Sequence, residues 1–152
     1  MVTQESPQTV LSAVDRVRIT VGARQLIARW EPDLSPHTCA AFRALLPFSQ
    51  KIIHARWSGE ACWIPLGDFD LGVAQETATS RPEPGQLLFY PASVSETEIL
   101  IPYGVSRFSS VAGELTGNRF LTLVEGLDRL AEIGKDILWH GSRDIRFEEM
   151  QA

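Results

Sequence analysis

Lys51-Ile52-Ile53-His54-Ala55-Arg56-Trp57, then Ser58-Gly59, then Glu60-Ala61-Cys62-Trp63-Ile64-Pro65-Leu66, reads as two strand-forming runs around a short break. That is the signature of a β-hairpin. Two registers are open. A two-residue loop at Ser58-Gly59 pairs Trp57 with Glu60 and His54 with Trp63, but it needs positive φ at Ser58, which serine resists. A three-residue loop with Gly59 in the left-handed region pairs Arg56 with Glu60 and His54 with Cys62. Glycine suits that place, so the second register is preferred. Arg56 and Glu60 then face each other. They form either an exposed ion pair worth roughly 0–1 kcal/mol or an arginine fork held ready for a ligand carboxylate or carbonyl.

Working outward from the hairpin, more strands follow. Val17, Ile19 and Val21 alternate with Arg16, Arg18 and Thr20, and Leu26, Ala28 and Trp30 share one face of the next run. These two runs are expected to pair as an antiparallel hairpin. Gln86 to Tyr90, Ser95 to Ile101, Arg119 to Val124 and Asp144 to Phe147 supply four further strands, with Pro102-Tyr103-Gly104 expected to break the second of them. Residues 67–84 and 105–117 read as loops. Ser35-Pro36 opens a first helix, with the Ser35 hydroxyl as the expected cap and Pro36 at the first helical position. Cys39, Phe42, Leu45 and Leu46 form its buried face, and Pro47 ends it. A second helix runs from Leu127 to about Leu138. Its apolar positions are Leu127, Leu130, Ala131, Ile133, Ile137 and Leu138, and Gly141 is placed to stop it. Eight strands with short turns close naturally into a mainly β, mostly antiparallel barrel, its two ends capped by the helices.

The 152 residues fit one domain, expected over 13–148, with a mobile arm at 1–12 and a tail at 149–152. The net charge of -5 comes without any run of Lys or Arg, which argues against nucleic acid and anionic membrane as partners. No apolar stretch is long enough to span a bilayer and no signal pattern opens the chain, so a cytoplasmic location is expected. Cys39 and Cys62 read as buried free thiols. His37, His54 and His140 lack metal-ligand spacing, so neither metal nor cofactor is expected. No nucleophile elbow is present.

Two local patterns carry a family resemblance. Ser35-Pro36-His37-Thr38-Cys39-Ala40-Ala41-Phe42 resembles the start of the first cyclophilin helix. Phe120-Leu121-Thr122-Leu123-Val124-Glu125-Gly126-Leu127-Asp128 resembles the late cyclophilin segment where a strand meets the second helix. The chain departs from the prolyl isomerases at the catalytic region: Ile53-His54-Ala55-Arg56-Trp57 stands there, with no Gln-Gly-Gly following. The chain is more similar to a bacterial family of uncharacterised proteins with a cyclophilin-like barrel. Ala55-Arg56-Trp57-Ser58-Gly59-Glu60, Pro84-Gly85-Gln86, Tyr90-Pro91 and Ser95-Glu96-Thr97-Glu98-Ile99 carry that likeness. The resemblance implies a fold and brings no activity.

The leading functional expectation is a groove beside the hairpin that binds a small anionic or amide-bearing ligand. Arg56 is its clamp, Glu60 the orienter of Arg56, His54 a titratable partner and Trp57 an apolar wall. Glu96 and Glu98, two carboxylates on one strand face, are candidates for acid/base work if one is desolvated. Tyr103 and Arg107 are candidates for the rim. The alternatives are a prolyl isomerase or proline-peptide binder, inferred from fold alone, and a homo-oligomeric assembly subunit. Whether the chain is an enzyme is open.

Overall fold

In the computed structural model, which describes residues 15–150, the apolar alternation becomes the wall of a barrel. The strands in chain order are β1 (Arg16–Val21), β2 (Arg24–Trp30), β3 (Phe48–His54), β4 (Gly59–Gly67), β6 (Gln86–Tyr90), β7 (Thr97–Ser106), β10 (Gly117–Glu125) and β11 (Arg143–Glu149). Three two-residue strands lie between them: β5 (Ala78–Thr79), β8 (Ser109–Ser110) and β9 (Gly113–Glu114). Helix α1 (Pro36–Arg43) joins β2 to β3, and α2 (Leu127–His140) joins β10 to β11. The order around the sheet is β2-β1-β11-β3-β4-β7-β6-β10, and β10 pairs back onto β2 to close eight strands. Every pairing is antiparallel. The expected arm at 1–12 lies outside the described residues. The expected tail begins within β11, which runs to Glu149.

Closure follows from the period-2 pattern. Val17, Ile19, Val21, Leu26, Ala28, Trp30, Ile52, Cys62, Ile64, Ile99, Ile101, Ile145 and Phe147 all point into one interior cluster. Phe120 and Leu121 are consecutive, yet both join it. The register of β10 against β6 shifts between Arg119 and Leu121, and such a bulge re-aims successive side chains. Each helix closes one end. Phe42 of α1 plugs the end where β2 finishes and β3 begins, its ring touching Trp30, Phe48 and Phe147. Leu130, Ile133 and Ile137 of α2 cover the other end. There Gly134 lies directly against the Tyr103 ring, and a Cβ at that position would collide with it. Glycine weakens a helix interior, but here close packing requires it. Leu127 and Leu138, expected on the buried face, are exposed.

Three local expectations are corrected. Helix α1 ends at Arg43 rather than Leu46, because a residue before proline is pushed out of the helical region; a short turn with Leu45 N–H bonded to Phe42 O finishes it. Ser35 makes no side-chain cap. Glu76, in the long 67–84 loop, caps α1 instead: its carboxylate accepts from the His37 and Thr38 amides, each at 2.9 Å, and from the Thr38 hydroxyl at 2.6 Å. Strand β7 does not break at Pro102-Tyr103-Gly104 but continues to Ser106. Its pairing with β6 ends at Leu100, so beyond that point only β4 is a neighbour and a residue without N–H is tolerated.

The Glu76 cap gives a prediction. Burial by itself would push the Glu76 carboxyl up, but the Thr38 hydroxyl and the two amides outweigh burial and hold it below its usual range. Its contribution to stability is therefore present above the unfolded carboxylate pKa and lost as pH falls through the lower folded value. Glu76→Ala is expected to cost about 1–3 kcal/mol at pH 7, measured by urea denaturation, and much less at pH 3.

Candidate functional site

The hairpin takes the preferred register: His54 stands opposite Cys62 and Ile53 opposite Trp63. Ala55 N–H bonds to Ala61 O, and Gly59 has φ of +91°. A side chain at Gly59 would also meet the Val105 carbonyl oxygen at 2.9 Å. Alternation then sorts the hairpin residues onto two faces. Cys62 and Ile64 point into the barrel, while Ala61 and Trp63 point outward to a second, smaller apolar cluster. That outer cluster holds Leu88, Tyr90, Leu100, Phe108 and Leu115.

Beside this outer cluster is a cleft of about 270 Å³. The hairpin contributes Ile53, Arg56, Trp57 and Trp63; the β6–β7 turn and β7 contribute Ser95, Glu96, Glu98 and Leu100; the β8–β9 turn contributes Ser109, Ser110 and Val111. The Ser58 hydroxyl ties two of these walls together, donating to Ser109 O at 3.2 Å and accepting from Ser109 N–H at 3.0 Å. The volume is near the lower edge of the usual 300–1,000 Å³ for small-molecule sites. That suits a ligand of amino-acid size better than a nucleotide. Of the lining residues, Trp57 and Val111 are exposed.

Of the residues singled out from sequence, Arg56, Trp57, Glu96 and Glu98 come together in this cleft. The others do not. His54 points to the α2 end of the barrel. Its Nε2 lies 2.7 Å from the Tyr103 hydroxyl and its Nδ1 lies 2.8 Å from Ala55 O. Since a carbonyl only accepts, Nδ1 carries the proton and the Tyr103 hydroxyl donates to Nε2. Burial, helped by the nearby Cys62 and Glu60, raises the Tyr103 pKa. Arg107 reaches away to Glu114 at 3.4 Å. The expected Arg56–Glu60 pair is not formed. Glu60 crosses Gly104 and accepts from Val105 N–H at 2.9 Å, because β4 pairs with β7 from Gly59 onward and that amide is its nearest donor. Among the described residues Arg56 has no ion-pair partner, and it is exposed at the cleft wall.

Glu98 is the unusual group in the cleft. It is 6% exposed, and its carboxyl has no hydrogen-bond or ion-pair partner among the described residues. Burial, with a smaller contribution from the charge of Glu96, pushes its pKa up to about 8. Cys39 and Cys62 are free and buried, and burial pushes both thiols up to about 12. No group of three or more His, Cys, Asp or Glu among the described residues is placed to hold a metal ion. No helix among them is long and apolar enough to cross a membrane. Sequence reasoning missed the contribution of the β8–β9 turn. The only signal there was a run of small polar residues, Ser109-Ser110, indistinguishable from any loop.

Fold and site together define a closed antiparallel barrel with an external cleft lined by aromatic, acidic and basic side chains. A family described as "Protein of unknown function (DUF3830)" matches residues 17–149, and the chain belongs to it. No curated protein matches the chain in sequence. Solved structures share the fold, among them the following two. One, described as the structure of McbB in complex with tryptophan, superposes with a TM-score of 0.69 at 18% identity, over 88% of this chain and 44% of that one. This chain thus spans less than half the length of McbB. The other is the solution structure of the hypothetical protein AF2241 from Archaeoglobus fulgidus, with a TM-score of 0.50 at 12% identity, over 90% of this chain and 95% of that one. At such identities the likeness is one of fold.

Proposed function

We propose that the protein binds a small ligand in the cleft beside the hairpin, with an anionic or amide group of that ligand held by Arg56. The observation that carries this reading is Arg56 itself: a guanidinium on the wall of a formed cleft, with no ion-pair partner among the described residues. Its planar fork suits a carboxylate or carbonyl held by two parallel hydrogen bonds. Trp57, Trp63, Ile53 and Leu100 supply an apolar wall for the body of the ligand. McbB, which shares this barrel over 44% of its length, is described in complex with tryptophan, a molecule of the size proposed here. His54, Glu60, Tyr103 and Arg107 fall outside the cleft lining, so the reading rests on Arg56, Trp57, Glu96 and Glu98.

The barrel itself is best read as cyclophilin-like. Ser35 to Phe42 falls on the start of α1, and Phe120 to Asp128 falls on the junction of β10 with α2, the places the resemblance requires. The prolyl-isomerase reading gains nothing further, since the motif it needs is absent from the hairpin.

A thermal-shift screen against small carboxylates and amides tests the proposal. A ligand present at 100 times its Kd stabilises by about 2.7 kcal/mol, which raises the Tm of a domain this size by about 5–10 °C. The rise is expected in the native protein and largely absent in Arg56→Ala. A ligand that stabilises both proteins equally would show that the cleft arginine holds nothing.

A further inference from the structure

Glu98 is a carboxyl only 6% exposed and without a hydrogen-bond or ion-pair partner among the described residues, on the wall of a cleft large enough for a ligand. Burying such a group unpaired is unfavourable and holds it in the neutral form, and nothing in the barrel requires an acid there. Leu100 follows it on the outer face of β7, Glu96 lies just before that strand, and its cross-strand partners are Pro65 on β4 and Tyr90 on β6. None of these supplies a cation. The basic side chain on the cleft wall is Arg56, which comes from the hairpin and is free of any ion pair among the described residues. The cleft therefore presents one cationic end, two carboxyls and an apolar wall of Ile53, Trp57, Trp63 and Leu100. A purely anionic ligand would satisfy Arg56 but would meet Glu96 as a like charge and would leave Glu98 without an ionic partner.

We propose that the ligand carries a basic nitrogen as well, held by Glu98: the cleft takes a small apolar amine, in its fullest form an α-amino acid whose carboxylate meets Arg56. This rests on the reading of the cleft as a small-ligand site and names the chemistry of the ligand's second end. An ammonium entering the cleft supplies the partner that the barrel withholds from Glu98, and the low exposure of Glu98 strengthens their pairing.

The proton inventory agrees. At neutral pH Glu98 is protonated in the empty cleft, since burial raises it to about 8. Of the groups around it, Glu96 opposes its ionisation; Arg56 lines the same cleft from the hairpin, and the cross-strand neighbours are Tyr90 on β6 and Pro65 on β4. An ammonium ligand needs the ionised form, so binding releases one proton. Affinity then rises with pH toward about 8, by up to about tenfold per pH unit.

Calorimetric titration with two matched sets tests this: tryptophan, tryptamine and indole-3-propionate, then leucine, 3-methylbutylamine and 4-methylpentanoate. In the native protein at pH 8, the amino acid and amine of at least one set are expected to bind at least tenfold more tightly than the matching acid. Glu98→Gln is expected to abolish that preference together with the proton release, and Arg56→Ala to weaken the amino acid but not the amine. If an acid binds as tightly as its amino acid and loses affinity in Arg56→Ala, the small-ligand reading stands and the amine is refuted. Unchanged tryptophan and leucine affinity in Glu98→Gln refutes it as well. If no member of either set binds, the amine proposal falls, and the wider screen against carboxylates and amides decides the fate of the cleft itself.

Discussion

Glu98→Gln is expected to make the protein more stable at alkaline pH and to leave it nearly unchanged near pH 4.5. The sign follows from the raised pKa. Between the ordinary carboxyl value of 4.5 and the folded value of about 8, the folded chain holds a proton that the unfolded chain has lost. Stability associated with Glu98 is therefore intact below pH 4.5 and drains away as pH rises to about 8. Each pH unit in that window removes about 1.4 kcal/mol, which bounds the loss at about 5 kcal/mol above pH 8. Glutamine keeps the shape and cannot ionise. The Tm of the variant is expected to exceed that of the native protein by 5 °C or more at pH 8.5, with the gap closing as pH is lowered. Scanning calorimetry at several pH values measures this directly. A gap that does not change between pH 5 and 8.5 would mean that Glu98 ionises like a surface carboxyl and that the cleft does not desolvate it.

Phe42→Ala is expected to cost about 3–5 kcal/mol, the largest loss from any single truncation in α1. Phe42 is fully buried, and its ring centroid lies 5.2 Å from Phe48, 5.2 Å from Phe120 and 5.3 Å from Phe147, all edge to face. Trp30 and Phe89 follow at 6.3 and 6.4 Å. These rings come from five strands, β2, β3, β6, β10 and β11, so one side chain closes the α1 end of the barrel. Truncation leaves a cavity that five separate strands cannot collapse to fill, and it removes edge-to-face pairs worth roughly 0.5–1.5 kcal/mol each. Against a typical total of 5–15 kcal/mol, most of the folded population is at risk at 37 °C. Urea unfolding of Phe42→Ala and Phe42→Leu measures the effect. Leucine refills most of the volume and is expected to recover about half of the loss. A cost below about 1 kcal/mol for the alanine variant would show that the helix does not plug the barrel.

The site divides along the same line as these two predictions. That Glu96 and Glu98 would fall side by side was suggested by their i, i+2 spacing; both line the cleft, although β7 begins only at Thr97 and Glu96 lies in the turn before it. The glycine that fixes the hairpin register was readable too, because positive φ at Gly59 is a local demand. The fate of Arg56 and Glu60 was not. Facing positions in a hairpin imply a pair only if nothing nearer competes, and the Val105 amide of β7 competes for Glu60. The cap of α1 was misassigned for the same reason: Ser35 is the local candidate, but Glu76 arrives from a loop some forty residues away.

By itself, then, the sequence determined the eight barrel strands, the two helices, most of their inward positions and a closed barrel. Those features depend on period-2 and period-3.6 patterns, on prolines, and on glycines whose demands are met within a few residues. Only the tertiary structure decided that β7 runs on through Pro102, that Tyr103 requires a glycine at position 134, and that the β8–β9 turn completes a cleft around Glu98. Each of these depends on which distant segment arrives at a given face. Burial of Glu98 is the clearest case: a carboxyl two residues from another reads as solvated until a separate part of the chain removes the water.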